Sequence, residues 1–312
     1  MKAFIFPGQG SQAVGMGKAV AEAFQEARDV FQEVDEVLRQ KLSKLMFEGP
    51  LEELTLTENA QPALMACSIA LVRVLQKQGG KRFPELCSFV AGHSLGEYTA
   101  LCAAEAILLA DTAQLLRTRG NAMQAAVPKG KGGMAAILGL ELAQVEVLCK
   151  QAAQGECMQI ANENAPGQVV VSGSAGAIAR GEALAKSAGA KRYLPLNVSA
   201  PFHCALMQPA AKIMARALAE TPVKVPSVRL VANITASVVT DPEEIRTLLI
   251  QQVTGRVRWT ESVQFMAKQG ATHTVEIGAG KVLSGLTKRI VEGMEALSIQ
   301  TPQEIEDFLK KL

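Results

Sequence analysis

The sequence predicts an α/β fold, a parallel-sheet core split in sequence by a small inserted domain, and three observations predict it. Short apolar runs alternate with stretches of helical periodicity at both ends of the chain. At residues 127–133, Val-Pro-Lys-Gly-Lys-Gly-Gly marks a change of texture, and the six short elements that follow run β-α-β-β-α-β. Past residue 197 the earlier alternation resumes. At about 150 residues per domain, 312 residues leave room for roughly two. The expected division is therefore discontinuous: 1–127 with 198–312 as one domain, and 128–197 as a ferredoxin-like insert.

Taken in order, Lys2 to Phe6 is an apolar run cut off by Pro-Gly-Gln-Gly, as a buried strand feeding a loop would be. Apolar residues at helical spacing from Lys18 to Leu42 and from Gln61 to Leu75 predict two helices before the next strand. That strand is Ser88 to Ala91. Leu95 to Ala104 favours helix, so Gly92 to Ser94 must turn sharply, and a further helix spans Thr112 to Met123. In the insert, strands are expected at Met134 to Leu138, Cys157 to Ala161, Val169 to Ser172 and Lys191 to Leu194, with helices at Leu142 to Ala153 and Ala175 to Ala188. Afterwards come helix Met207 to Ala219, strand Val228 to Ala232, helix Glu243 to Val253, strand His273 to Ile277 and helix Lys281 to Val291.

Composition removes several function classes. The net charge of +2 is too small for a protein built to neutralise nucleic-acid phosphates, and 4% aromatics with one tryptophan leave little for stacking bases. No apolar run approaches the 18 or so residues of a membrane span. The apolar start is broken by Pro7-Gly8 before it reaches the length of a signal-peptide core, so a cytoplasmic setting is expected. Six cysteines without a C-x-x-C pair, alongside three histidines, predict reduced thiols and no metal site.

The chemistry centres on Gly92-His93-Ser94-Leu95-Gly96, which fits G-x-S-x-G between a strand and a helix. The turn exposes the Ser94 hydroxyl, and the N–H of Leu95 at the helix start is a natural oxyanion donor. A serine needs a base. His93 sits on the tight turn and diverges from its neighbour, so it orders the turn or lines the pocket. His273 alternates with Val275 and Ile277 on a strand and reads as a structural polar position. His203 follows Ser199-Ala200-Pro201-Phe202 and precedes a helix, where it serves either as base or as a cap. The loop Gly8-Gln9-Gly10-Ser11-Gln12-Ala13 imitates a dinucleotide fingerprint, but no acidic residue ends a second strand about 20 residues on. Its glycines suit close backbone approach instead, with Gln9 as a second oxyanion donor. Arg117 and Arg119 lie on nearly opposite helix faces, so at most one can enter a cleft.

Phe6-Pro7-Gly8-Gln9-Gly10-Ser11-Gln12, Gly92-His93-Ser94-Leu95-Gly96-Glu97-Tyr98, Arg119-Gly120, Asn162-x-Asn164-x-Pro166-Gly167-Gln168 and Ser199-x-Pro201-Phe202-His203 together resemble the malonyl-CoA:acyl carrier protein transacylases, an acyltransferase family. The resemblance runs the length of the chain and implies a hydrolase-like core with a ferredoxin-like insert. It implies that Ser94 is acylated, His203 is the base, Arg119 grips the malonyl carboxylate, and Gln9 with Leu95 N–H forms the oxyanion hole. It further implies that the main-chain carbonyl of Gln252 orients His203, and that Asn162 and Asn164 lie near the thioester, with His93 counted beside them among the substrate-binding residues. The implied partners are malonyl-CoA, as substrate, and holo acyl carrier protein, with no cofactor, in the service of fatty acid synthesis. Two rivals share parts of this pattern. A serine esterase or thioesterase would hydrolyse its acyl-enzyme quickly and gain little from a buried arginine, whereas a carrier-binding module would not need Ser94.

Overall fold

A computed structural model of residues 1–312 contains two sheets. The ten strands are β1 (Lys2–Phe6), β2 (Phe89–Gly92), β3 (Gly132–Leu138), β4 (Met158–Ala165), β5 (Gln168–Ser174), β6 (Arg192–Pro195), β7 (Arg229–Val231), β8 (Val238–Val239), β9 (His273–Ile277) and β10 (Glu295–Ile299). The larger sheet runs β10-β9-β1-β2-β7-β8 and the smaller β4-β5-β3-β6.

β1 shows why the large sheet is buried on both faces. Its side chains alternate: Phe4 and Phe6 enter the main core, while Ala3 and Ile5 join a second cluster around Trp259 on the opposite face. β1 pairs in parallel with β2 and β9, so the loops after β1 and β2 leave the same edge side by side. Those loops carry Gln9 and Ser94. Only β8 departs from the parallel pattern, as the short antiparallel partner of β7.

The small sheet is antiparallel throughout, in the order that a βαββαβ unit adopts. It is stitched to the rest of the chain through β4. Val257 N donates to Ala161 O at 2.8 Å, and Glu163 N donates to Val257 O at 3.0 Å, which carries the end of β4 across the carboxyl edge of the large sheet.

Several elements differ from the sequence expectation. Six helices, not two, precede β2. The expected Lys18–Leu42 helix breaks at Phe24, which is extended (φ −129°, ψ 133°), and at Arg39, which is left-handed (φ 49°). Periodicity does not register a one-residue break when the helices on both sides bury the same face. Helix Trp259–Lys268, strand β10 and helix Pro302–Leu309 were not expected at all. No helix is long and apolar enough to cross a membrane.

Candidate active site

Ser94 sits at the turn between β2 and helix Leu95–Ala103 with φ 55° and ψ −111°, a left-handed backbone that costs a non-glycine residue free energy. Its glycines make this geometry possible. A Cβ on Gly92 would stand 1.8 Å from the carbonyl carbon of Gly96, and one on Gly96 would stand 2.3 Å from Phe6 O. Asn233 clamps the turn from below: its Oδ1 accepts from Ser94 N at 2.9 Å and its Nδ2 donates to Gly92 O at 2.7 Å.

The Ser94 hydroxyl lies 2.8 Å from His203 Nε2, and His203 Nδ1 lies 2.8 Å from the main-chain carbonyl of Gln252. A carbonyl accepts only, so Nδ1 carries the proton and Nε2 presents a lone pair to the serine. Gln252 is in the last turn of helix Pro242–Thr254, where carbonyls lack intrahelical partners and the helix dipole favours positive charge. Such a helix end can hold an imidazolium in the way a triad carboxylate does. Burial, with the nearby Arg119 charge second, pushes His203 down to about 3, so the imidazole is neutral at rest.

Arg119 is buried on helix Leu109–Ala125 and its guanidinium meets no carboxylate within hydrogen-bonding distance. Nη1 donates to Gln61 Oε1 at 2.8 Å, Nη2 donates to Ser94 Oγ at 3.1 Å and to Gln252 Oε1 at 2.9 Å, and Nε has no partner. Gly120 lets this helix approach the one that carries Gln61, since a Cβ there would lie 2.6 Å from Glu58 Cα. Arg117 points elsewhere, onto Asn59 and Gln40.

His93 Nε2 is 2.9 Å from Asn164 Oδ1, and its ring tilts against Trp259 at 5.7 Å. Burial lowers its pKa too. A cavity of about 250 Å³ is lined by Gln9, His93, Ser94, Leu95, Arg119, Asn162, Asn164 and His203, with Gln252 just behind. A larger groove of about 560 Å³ over helix Gln25–Leu38 holds none of these residues. Leu95 is the first residue of its helix, so its N–H is free of the helical ladder. The Gln9 side chain is tied back to Thr57, which in turn meets Ser199. His273 lies far from this group, against Thr272 and Glu295.

Three buried residues were not singled out from sequence: Gln61, Glu97 and Asn233. Glu97 Oε2 accepts from Gln252 Nε2 at 2.7 Å, which fixes the amide so that its oxygen faces Arg119. Burial pushes the Glu97 carboxyl up to about 7. No periodicity or spacing marks such residues, because their partners lie 19 to 155 positions away. The arrangement can carry out acyl transfer at a serine, with a charged pocket for an anionic acyl group.

Comparison with known proteins agrees with that chemistry. Residues 3–301 match the family model described as "Acyl transferase domain". A malonyl CoA-acyl carrier protein transacylase of Salmonella typhimurium is 47% identical over 307 residues, covering 98% of each chain. The crystal structure of an acyl-carrier-protein S-malonyltransferase from Bartonella henselae superposes with a TM-score of 0.97 at 53% identity, over 99% of this chain and 98% of that one. A malonyl-transacylase solved in complex with a type II polyketide acyl-carrier protein superposes at 0.96, with 43% identity, over 100% of this chain and 99% of that one. The chain belongs to the acyl transferase domain family, among the malonyl-CoA:acyl carrier protein transacylases.

Proposed function

We propose that this protein transfers the malonyl group from malonyl-CoA to the phosphopantetheine thiol of acyl carrier protein through a malonyl ester on Ser94. The observation that carries this reading is the Arg119 guanidinium, buried 3.1 Å from Ser94 Oγ and unpaired with any acid. A buried cation without a counterion is expensive, and an acyl group ending in a carboxylate would relieve that cost.

Ser94 Oγ attacks the thioester carbonyl as its proton passes to His203 Nε2, and the N–H groups of Gln9 and Leu95 receive the oxyanion. The imidazolium is held by Gln252 O at the helix end. Collapse expels the coenzyme A thiolate, which takes the proton from His203. The carrier's thiol then gives its proton to His203 and attacks the malonyl ester; the ester C–O bond breaks, Ser94 Oγ takes that proton back from His203, and the malonyl thioester leaves on the carrier. Within this scheme His93 and Asn164 fix the pocket wall, and Asn162 stands beside the thioester arm. The steps use only these side chains and main-chain groups, without a cofactor. The reading includes a cytoplasmic setting in fatty acid synthesis. It also divides the chain into 1–127 with 198–312 around the nucleophile, and 128–197 as an insert that supplies Asn162 and Asn164.

Intact-mass measurement after mixing with malonyl-CoA or acetyl-CoA, followed by peptide mapping, tests this directly. The expected result is a malonyl adduct on Ser94 that persists until holo carrier is added. Malonylation elsewhere, or of Ser94→Ala, would sink it.

A further inference from the structure

One buried hydroxyl takes no part in the proposed chemistry, yet it joins two of the segments that carry it. Thr57 is the first residue of helix Thr57–Gly79 and is fully buried. Gln9 Nε2 donates to its Oγ1 at 3.3 Å, which leaves the Thr57 proton free for Ser199 Oγ at 3.1 Å. The relay therefore runs from the loop after β1, which holds Gln9, to the segment between β6 and His203, which holds Ser199. Gln9 and Ser199 are both exposed, and Thr57 is the fixed point between them.

The Thr57 backbone has little room to move. Thr57 O and Glu58 Cα stand 2.7 and 2.6 Å from where a Cβ on Gly120 would lie, so this helix start is pressed against the helix that carries Arg119. Ser199 is held from that same helix, whose Gln124 Nε2 donates to Ser199 O at 3.4 Å. The Gln9 loop, by contrast, has few ties. Residues 8–12 make one other hydrogen bond, inside the loop, from Gly10 N to Gln12 Oε1 at 2.7 Å. Gly10 is left-handed (φ 104°), with open space where a Cβ would be. The bond to Thr57 is thus the one hydrogen bond that fastens residues 8–12 to another element. Gln9 and Gln12 line the cavity from one of the two segments, and Leu196 and Val198 line it from the other.

We propose that Thr57 is a positioning residue for acyl transfer, its hydroxyl holding the Gln9 loop, and with it the Gln9 N–H, at the place beside Ser94 where the oxyanion forms. This role rests on the proposed function, in which the N–H groups of Gln9 and Leu95 receive that oxyanion. An oxyanion forms with any acyl group. Loss of the hold therefore slows acylation by malonyl-CoA and acetyl-CoA alike and leaves the choice between them to Arg119. Because the contact it serves is made in the transition state, the maximal rate falls and the half-saturating concentration does not. Misplacing a reacting group by about 1 Å costs roughly 10²-fold, and removing an oxyanion donor outright costs about 10² to 10³-fold. A loosened loop falls at or below the lower of these.

The test measures single-turnover acylation of Ser94 by malonyl-CoA and acetyl-CoA, and its labelling by a fluorophosphonate, whose phosphoryl oxygen takes the oxyanion position. The proteins compared are wild type, Thr57→Val, Thr57→Ser, Gln9→Ala, which keeps its N–H, and the double variant Thr57→Val with Gln9→Ala. Thr57→Val and Gln9→Ala should each lower the rate about tenfold to a hundredfold with all three reagents, with half-saturating thioester concentrations within about twofold of wild type. Thr57→Ser should restore most of the rate. The double variant should be no slower than the slower single one, because both changes remove the same bond. An unchanged maximal rate in either single variant, a loss confined to malonyl-CoA, a Thr57→Ser variant as slow as Thr57→Val, or losses that multiply in the double variant would each overturn the proposal. If urea titration shows that Thr57→Val does not fold, Gln9→Ala decides it alone, since that side chain is exposed. A wild type that takes the fluorophosphonate at Ser94 but never malonyl would refute the proposed function, and the dependence of that labelling on Thr57 would still decide the positioning role.

Discussion

At the residue scale the Arg119 charge competes with a proton on His203 for one neighbourhood. Arg119 stands within hydrogen-bonding distance of Ser94, and its charge is the second cause, after burial, of the low His203 pKa. A bound malonyl carboxylate would cancel that charge, so the imidazole becomes a stronger base when the right acyl group is in place. Arg119→Gln is therefore expected to raise the His203 pKa above about 3 yet leave it below the ordinary value of about 6.5, because burial remains. Imidazole NMR titration reads this, and an unmoved His203 would show that Arg119 acts on substrate alone. Selectivity is the kinetic side of the same residue. Breaking a buried charge pair costs about 2 to 5 kcal/mol, or roughly 30-fold to a few thousand-fold, so Arg119→Ala should lose malonyl transfer by such a factor while acetyl transfer holds or rises. Arg117→Ala should change neither ratio, since its guanidinium is engaged by Asn59 and Gln40. If kcat/KM for both thioesters falls equally in Arg119→Ala, the arginine is structural. His203→Ala should slow acylation about 10² to 10⁴-fold, and His273→Ala should have little effect, by rapid-quench measurement.

At the scale of elements, catalytic geometry comes from how strands and helices end. The β2 turn, the first N–H of helix Leu95–Ala103 and the last carbonyls of helix Pro242–Thr254 bring the proposed nucleophile, the proposed oxyanion donor and the carbonyl that meets His203 to one edge of the sheet. Gly92→Ala places a methyl carbon into the backbone of Gly96, a clash that no rotamer relieves. It should cost at least about 1–3 kcal/mol of stability and abolish Ser94 acylation, as denaturant titration and intact mass would report. Retained acylation in that variant would mean the turn can be built another way. This turn was legible in the sequence because its signal is local: two glycines, a serine, an apolar run before and a helix former after. Lys2–Phe6, His273–Ile277 and Leu142–Ala153 were legible for the same reason, the first as a short apolar run with clear punctuation and the others as period-two and period-3.6 patterns. Helix Trp259–Lys268 was not, since it follows the helix ending at Thr254 after a short link with one glycine. The antiparallel β8, of two residues, is too short for any periodicity. Gln61 and Asn233 were invisible for a different reason, and Glu97, though it stands in the quoted motif, was given no role for the same one: each acts through partners brought close only by the completed fold.

At the scale of the whole molecule, the small sheet closes a cleft over the carboxyl edge of the large one, and the enclosed groups lose water, which ties the site to global stability. His203 is neutral in the folded state down to about 3, whereas in the unfolded chain it gains a proton near 6.5. Between those values the unfolded state binds more protons, so this residue makes stability fall as pH falls. His93, lowered by burial, pulls the same way. Glu97 pulls the other way. Folded, it takes up a proton near 7, and unfolded near about 4.3, so between these values the folded state binds more protons and stability rises as pH falls. The carboxyl thus offsets part of the acid sensitivity of the two histidines in the same network. Glu97→Gln removes that offset while keeping the side chain's shape. The variant should lose stability more steeply than wild type from pH 7 to about 4.5, and the two curves should run parallel below that. Urea midpoints at pH 7, 5.5, 4.5 and 4 supply the comparison. Parallel curves across the entire range would mean that Glu97 remains ionised in the folded protein at pH 5.5, with its charge compensated by Arg119 more fully than burial disfavours it.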